Sequence, residues 1–278
     1  MMINILTDST ADIPKELRLE HQIETIPMYI QIDGHVYRDE EDIDAQMLFD
    51  QVNQTGIYPT TSAPSPSDFI KFFDRKEPSI YIGVSSNLST TFRNAQLAKR
   101  ELNNSNVELI DSLSFSTGYG QVVLKAAEWR NAGMDFNTII ERIKDFIKKT
   151  RGIFILDTLD FLYQGGRCSS IEHFFSSLLK IRPFLHVRPD GTLGVLQKVR
   201  GTRMRSVKAL VEYFFVHKDE IANDRIFITH LDCEEEAQFI SDNLIPEFPG
   251  MEIIRARIGC ALATHSGPYP IGIAYHVN

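Results

Sequence analysis

Short apolar runs alternate with helical segments through the first half of the chain, and several runs end directly in acidic and hydroxyl side chains. INILTDS (3–9), SIYIGVS (79–85) and VELIDS (107–112) have the length and apolar weight of strands buried in a sheet. Helical patterns follow them: a short one opened by Pro14, then 43–52, 90–102, 118–131 and 136–149. TIPMYIQID (25–33) and HVYRDE flank Gly34 as a strand, a turn and a short return. Strand, helix, strand, helix is the order of a parallel α/β sheet, because parallel neighbours need a crossover and a helix supplies it.

The second half departs from that order. GIFILDT (152–158) closes the first half as a strand, followed by a helical start at 159–163 broken at Gly165-Gly166, and a helix over 171–180. FLHVRPDGTLGVLQKVR places Asp190-Gly191 between two strand patterns, an antiparallel hairpin signal. Helices over 204–217 and 234–245 alternate with strands at 225–232, 251–259 and 271–277. The expected fold is α/β in two domains: 1–158 with a parallel, Rossmann-like α/β/α sheet, and 159–278 with a mixed sheet.

Charge and cysteine usage narrow the function. The chain carries 29 Lys and Arg against 37 Asp and Glu, a formal net charge of −8. Its long-range field therefore repels nucleic acid and anionic surfaces, and no nucleic-acid partner is expected. An anionic ligand has to find local donors. Cys168, Cys233 and Cys260 are too few and too scattered for a zinc site or a disulfide framework. No apolar run reaches the ~18 residues that span a bilayer. The opening MMINILTDST lacks a leader pattern, so the expected location is the cytoplasm.

Donors for an anion gather at turns. Asp8-Ser9-Thr10, Ser85-Ser86-Asn87-Leu88-Ser89-Thr90-Thr91 and Asp111-Ser112 each follow a strand, and Thr60-Thr61-Ser62-Ala63-Pro64-Ser65-Pro66 precedes a helical run. In an open parallel sheet the carboxyl ends of the strands share one edge, where ligands bind. Hydroxyls and helix N-terminal N–H groups suit an anion there. Helix capping accounts for any one of these turns alone; several on one edge point to a ligand crevice. His265, in a Gly/Pro-bounded loop between two strands, is either a hydrogen-bonded structural residue or an N–H donor to a carboxylate. Basic character comes from Gly165-Gly166-Arg167 and from the stretch 198–205. There is no phosphate loop, no dinucleotide glycine fingerprint, no nucleophile elbow around Ser85 and no metal motif. Catalytic residues, metal and cofactor are accordingly not expected, and the donors favour binding.

In their order and spacing, Thr7-Asp8-Ser9-Thr10-Ala11-Asp12-Ile13, the two hydroxyl loops, Asp157-Thr158-Leu159 with Gly165-Gly166-Arg167, Lys198-Val199-Arg200-Gly201 and His265-Ser266-Gly267-Pro268 match a known pattern. The chain resembles the DegV family, the fatty-acid-binding subunits of bacterial fatty acid kinase, along nearly its whole length. The resemblance implies a two-domain fold holding a long-chain fatty acid in an apolar tunnel, with its carboxylate between the domains. Carried over, the carboxylate donors are Thr61, Ser89 and His265, with Ser62 the second choice in its loop. It also implies a separate ATP-dependent kinase subunit that converts the carboxylate to an acyl phosphate for phospholipid synthesis. Arg167, Arg200 and Arg203 are the candidates for facing that partner, and transient membrane contact would serve lipid exchange. Thr90, Ala63, Cys168 and Tyr269-Pro270 depart from the family pattern at the mouth, and with it the acyl preference. Two other readings stay open: a lipid-sensing regulatory protein, and a stand-alone hydrolase or transferase using Ser89 and His265.

Overall fold

The computed structural model describes residues 3–168, 171, 181–222 and 224–278. Apart from Ile171, the expected helix over 171–180 lies outside them. Strand β1 (Asn4–Asp8) runs into a 3₁₀ turn at Ser9–Ala11, then α1 (Lys15–Glu20) and β2 (Ile23–Ile26). β3 (Tyr29–Ile32), β4 (His35–Arg38), α2 (Ala45–Thr55) and β5 (Thr60–Ser62) follow, and β4-β3-β5 form a small antiparallel sheet. The single strand expected over 25–33 is thus two strands in two sheets. Pro27 separates them, because it has no N–H to continue a ladder.

Next come α3 (Pro66–Phe73), β6 (Ser79–Gly83), α4 (Thr91–Leu102) and β7 (Val107–Asp111). The order β2-β1-β6-β7, with every pair parallel, is the parallel sheet that the sequence predicts. After α5 (Thr117–Asn131) and α6 (Phe136–Lys149) the chain enters β8 (Thr150–Ile155), α7 (Asp160–Gln164), β9 (Ile181–Val187) and β10 (Leu193–Arg200). It ends with α8 (Arg203–Val216), β11 (Arg225–His230), α9 (Glu234–Leu244), β12 (Glu252–Arg257), α10 (Cys260–Ser266) and β13 (Ile271–His276). These strands form a six-stranded sheet, β10-β9-β8-β13-β11-β12, mixed because β11 and β12 are parallel while the other pairs are antiparallel. Although β8 lies before residue 158, it pairs in this second sheet. The change of sheet therefore falls across α5 and α6.

α5 is packed between the two sheets. Its Val122, Val123, Ala126 and Ala127 share a core with Ile5, Ile80 and Ile82 of the first sheet and Phe227, Ala256 and Ala274 of the second. A helix covered from two sides needs apolar or small residues around most of its circumference, and its sequence supplies them. Gly120 permits the closest approach: a Cβ there would overlap the Ala11 carbonyl. A second core lies under α8 and α9, where Leu210, Phe214 and Ile240 meet Ile153, Ile228 and Ile271. Among the described residues no helix is long and apolar enough to cross a membrane.

The segment after β12 corrects an expectation. His265 sits in the last turn of helix α10, not in a loop. Ala261, Leu262 and Ala263 favour helix, and Gly267, with φ at 71°, ends it.

Candidate ligand-binding site

The acidic residues at the strand ends build the frame. Asp8, fully buried at the end of β1, accepts from the Thr10 N–H at 3.1 Å, Tyr119 hydroxyl at 2.8 Å, Tyr81 hydroxyl at 3.0 Å and Val84 N–H at 3.1 Å. The Thr10 hydroxyl donates to it as well. Its carboxylate is saturated by protein, so it ties β1, β6 and α5 together. Asp111 does the same for two loops, accepting from Ser86 N–H at 3.2 Å and Leu113 N–H at 3.0 Å. At these positions turn-building wins over ligand binding.

What the frame carries is a cavity of about 1060 Å³, counted to its opening into solvent. It is lined by Thr10, Val84 and Leu88, which follow strands of the first sheet, and by Phe154, Gly272 and Ala274 of the second, with Phe115, Leu162 and Ile258 as further apolar wall. Polar residues are a minority of the lining. Thr61, Ser89, His265 and Arg167 all line this one cavity.

Thr61 sits on β5, and its hydroxyl shares a 2.8 Å hydrogen bond with His265 Nε2. The Ser89 hydroxyl lies 2.7 Å from that of Thr91 and also accepts the Thr91 N–H at 3.3 Å. The Arg167 guanidinium donates to the carbonyls of Gly165, at 2.6 Å, and Leu88, at 3.3 Å. It thereby links the loop carrying Ser89 to the end of α7. Burial, reinforced by the nearby Arg167 charge, pushes the His265 imidazole down to about 3. At neutral pH the ring is uncharged, and the fixed positive charge at the polar end belongs to Arg167. His265 Nδ1 is buried without a hydrogen-bond partner and faces Gly165, where a Cβ would overlap the ring.

The sequence-predicted residues divide accordingly. Thr61, Ser89 and His265 come together, and Arg167, expected to face a partner, joins them in the cavity wall. Ser62 does not line it: alternate residues of a strand point to opposite faces, and Thr61 takes the inner one. Arg203 is held inside the second sheet's layer by Asp157 and Glu236, each at 2.6 Å. Arg200 is exposed at the end of the edge strand β10. Sequence reasoning missed Ser116, Thr117 and Thr229, which also line the cavity, the last two hydrogen-bonded through their hydroxyls. Ser116-Thr117 follow β7 closely and repeat the hydroxyl-after-strand signal, whereas Thr229 lies inside a strand and gives none.

Comparison with known proteins places this geometry. The profile of the DegV family matches residues 2–278. A DegV domain-containing protein of Caldanaerobacter subterraneus is 33% identical over 277 residues, 98% of each chain. The solved structure of a fatty-acid-binding DegV family protein from Thermus thermophilus superposes with a TM-score of 0.91 at 27% identity, covering 99% of this chain and 100% of that one. DegV of Bacillus subtilis, solved as a fatty acid binding protein, gives 0.86 at 31% identity over 100% of both. With the family profile matched over residues 2–278 and relatives above 30% identity along nearly the whole length, this chain belongs to the DegV family.

Proposed function

We propose that this chain binds a long-chain fatty acid in the cavity, with the carboxylate at Thr61, Ser89 and His265, and presents it to an ATP-dependent kinase subunit in the cytoplasm. The observation that carries the reading is a largely apolar cavity whose polar lining includes the hydroxyls of Thr61 and Ser89, the neutral His265 imidazole and the Arg167 charge. Burying about fourteen methylenes contributes roughly 11 kcal/mol gross at about 0.8 kcal/mol each. Lost freedom on association removes several kcal/mol, which leaves room for micromolar or tighter binding. An ionised carboxylate in an apolar slot would otherwise be costly, and these donors offset that cost.

The chemistry asked of the partner is a phosphoryl transfer. A carboxylate oxygen attacks the γ-phosphorus of ATP, ADP leaves, and an acyl phosphate forms. The binding subunit's share is to hold that oxygen in place. The hydrolase reading needs Ser89 paired with His265. Instead the Ser89 hydroxyl pairs with Thr91, His265 pairs with Thr61, and Nδ1 meets no orienting carboxylate. Transient membrane contact for lipid exchange and a partner contact at Arg200 complete the proposal.

The test is reconstitution with a fatty acid kinase subunit and ATP, trapping the acyl phosphate with hydroxylamine. The Ser89→Ala, His265→Ala double variant is expected to lose at least about tenfold in product formation, as removal of carboxylate donors should. Undiminished transfer by that variant would reject the site assignment.

A further inference from the structure

The helix that carries His265 does not hold itself. α10 has seven residues, too few to persist alone in water, and its N-cap is Gly259, which brings no side-chain cap. Its first N–H groups are met instead from the other end of the chain. The Gly259 N–H donates to Asp12 Oδ1 at 2.8 Å, and the Ala261 N–H to Asp39 Oδ1 at 3.1 Å. Each carboxylate's second oxygen is fixed too, by Ser116 Oγ at 2.6 Å and Ser9 Oγ at 2.7 Å. Asp12 and Asp39 are only 2% and 1% exposed, and burial holds both carboxyls above the usual range, Asp12 well above it.

This arrangement favours placement at the expense of stability. Two ionisable carboxyls are buried as neighbours, which penalises their charged forms. Asp12, with φ at 48°, and Ser116, with φ at 55°, adopt left-handed backbone that side-chain-bearing residues seldom take. Gly259 leaves the room that Asp39 needs, since a Cβ there would stand 3.1 Å from both carboxylate oxygens. The helix so held lines the cavity through Ala261, Leu262, His265 and Ser266, and it ends on the bond between His265 and Thr61.

We infer that Asp12 and Asp39 are the positioning residues of the carboxylate site, setting through the first turn of α10 where the His265 imidazole stands relative to Thr61. This role rests on the reading of His265 as a carboxylate donor. Neither aspartate need touch the ligand. An asparagine at either position keeps an acceptor for the α10 N–H and can donate to the serine hydroxyl. The conservative variants should therefore preserve the geometry that alanine destroys.

Two readouts test it on the full chain. In ligand-free protein with ¹⁵N-labelled histidine, Asp39→Ala is expected to move the His265 imidazole nitrogen signals, and Asp39→Asn to leave them near the wild-type positions. Titrated with the fluorescent fatty acid parinaric acid, Asp39→Ala should bind at least about tenfold more weakly, the size of a lost hydrogen bond to a charged group, and Asp39→Asn within about threefold of wild type. Unmoved His265 signals in a folded Asp39→Ala protein would overturn the role, as would an Asp39→Asn protein impaired like the alanine variant. Should Asp39→Ala not fold, Ser9→Ala replaces it, with a smaller shift of the same signals expected and no shift counting against the role. Failure of wild type to bind parinaric acid would sink the fatty-acid reading, while the ligand-free spectra still decide the positioning role.

Discussion

At the scale of single residues, His265 is where burial meets the proposed function. Its imidazole is held neutral by its surroundings, with Arg167 as the second influence. A histidine that titrates near 6.5 in the unfolded chain and near 3 in the folded one binds its proton more readily when unfolded. Its stabilising share is therefore complete above about pH 6.5 and is lost as pH falls toward the folded value. The buried carboxyls of Asp12 and Asp39, shifted upward, act with the opposite sign: their protonation on acidification favours the folded state. Comparing wild type with His265→Gln isolates the histidine. The stability difference, from urea titrations between about pH 7.5 and pH 4.5, should turn against wild type below about 6.5, with a slope of at most about 1.4 kcal/mol per pH unit. A pH-independent difference would show that the ring is not held neutral. Thr61, Ser89 and His265, which line one cavity, could be picked out as candidates from the sequence because each is a chemistry-bearing side chain in a recognisable motif. Gly165, which makes room for the ring, carries no chemical signal, and only the packing reveals it.

At the scale of elements, the hairpin of β9 and β10 matters because its tip reaches the first sheet. The Ser85 hydroxyl donates to the Gly191 carbonyl at 3.0 Å, and Asn87 Nδ2 donates to the Asp190 carbonyl at 2.6 Å. Gly191 has φ at 80°, and a Cβ there would overlap Ser85 Oγ. Gly191→Ala is thus expected to cost about 1–3 kcal/mol from strain and overlap. It should also speed release of bound fatty acid, because the loop it displaces carries Leu88 and Ser89. An unchanged denaturation midpoint together with an unchanged release rate would show the tip contact to be inert. The Asp190-Gly191 turn itself was readable from local turn chemistry. Two other elements were not. β8 looks like one more strand of the first sheet until its partners β9 and β13 are known, and pairing across the chain leaves no local mark. α10 is short and bounded by Gly259 and Gly267, a pattern that reads locally as a loop; carboxylates more than two hundred residues away support its first turn.

At the scale of the whole molecule, the two sheets share α5, and strands or strand ends of both line the cavity. The alternation of strands and helices predicted the two sheet types correctly, because each type follows from local order and connection length. The meeting of the sheets was less legible. It depends on small residues such as Gly120, where a Cβ would overlap the Ala11 carbonyl, and Ala274, in the core that both sheets share. A cavity with so apolar a wall should be filled in the cell, and a ligand that binds only the folded state adds to stability by mass action. Organic extraction of the purified, folded protein followed by quantitative mass spectrometry tests the central claim most directly. The account predicts long-chain fatty acid at close to one molecule per chain; extracts that stay empty even after incubation with fatty acids would contradict it.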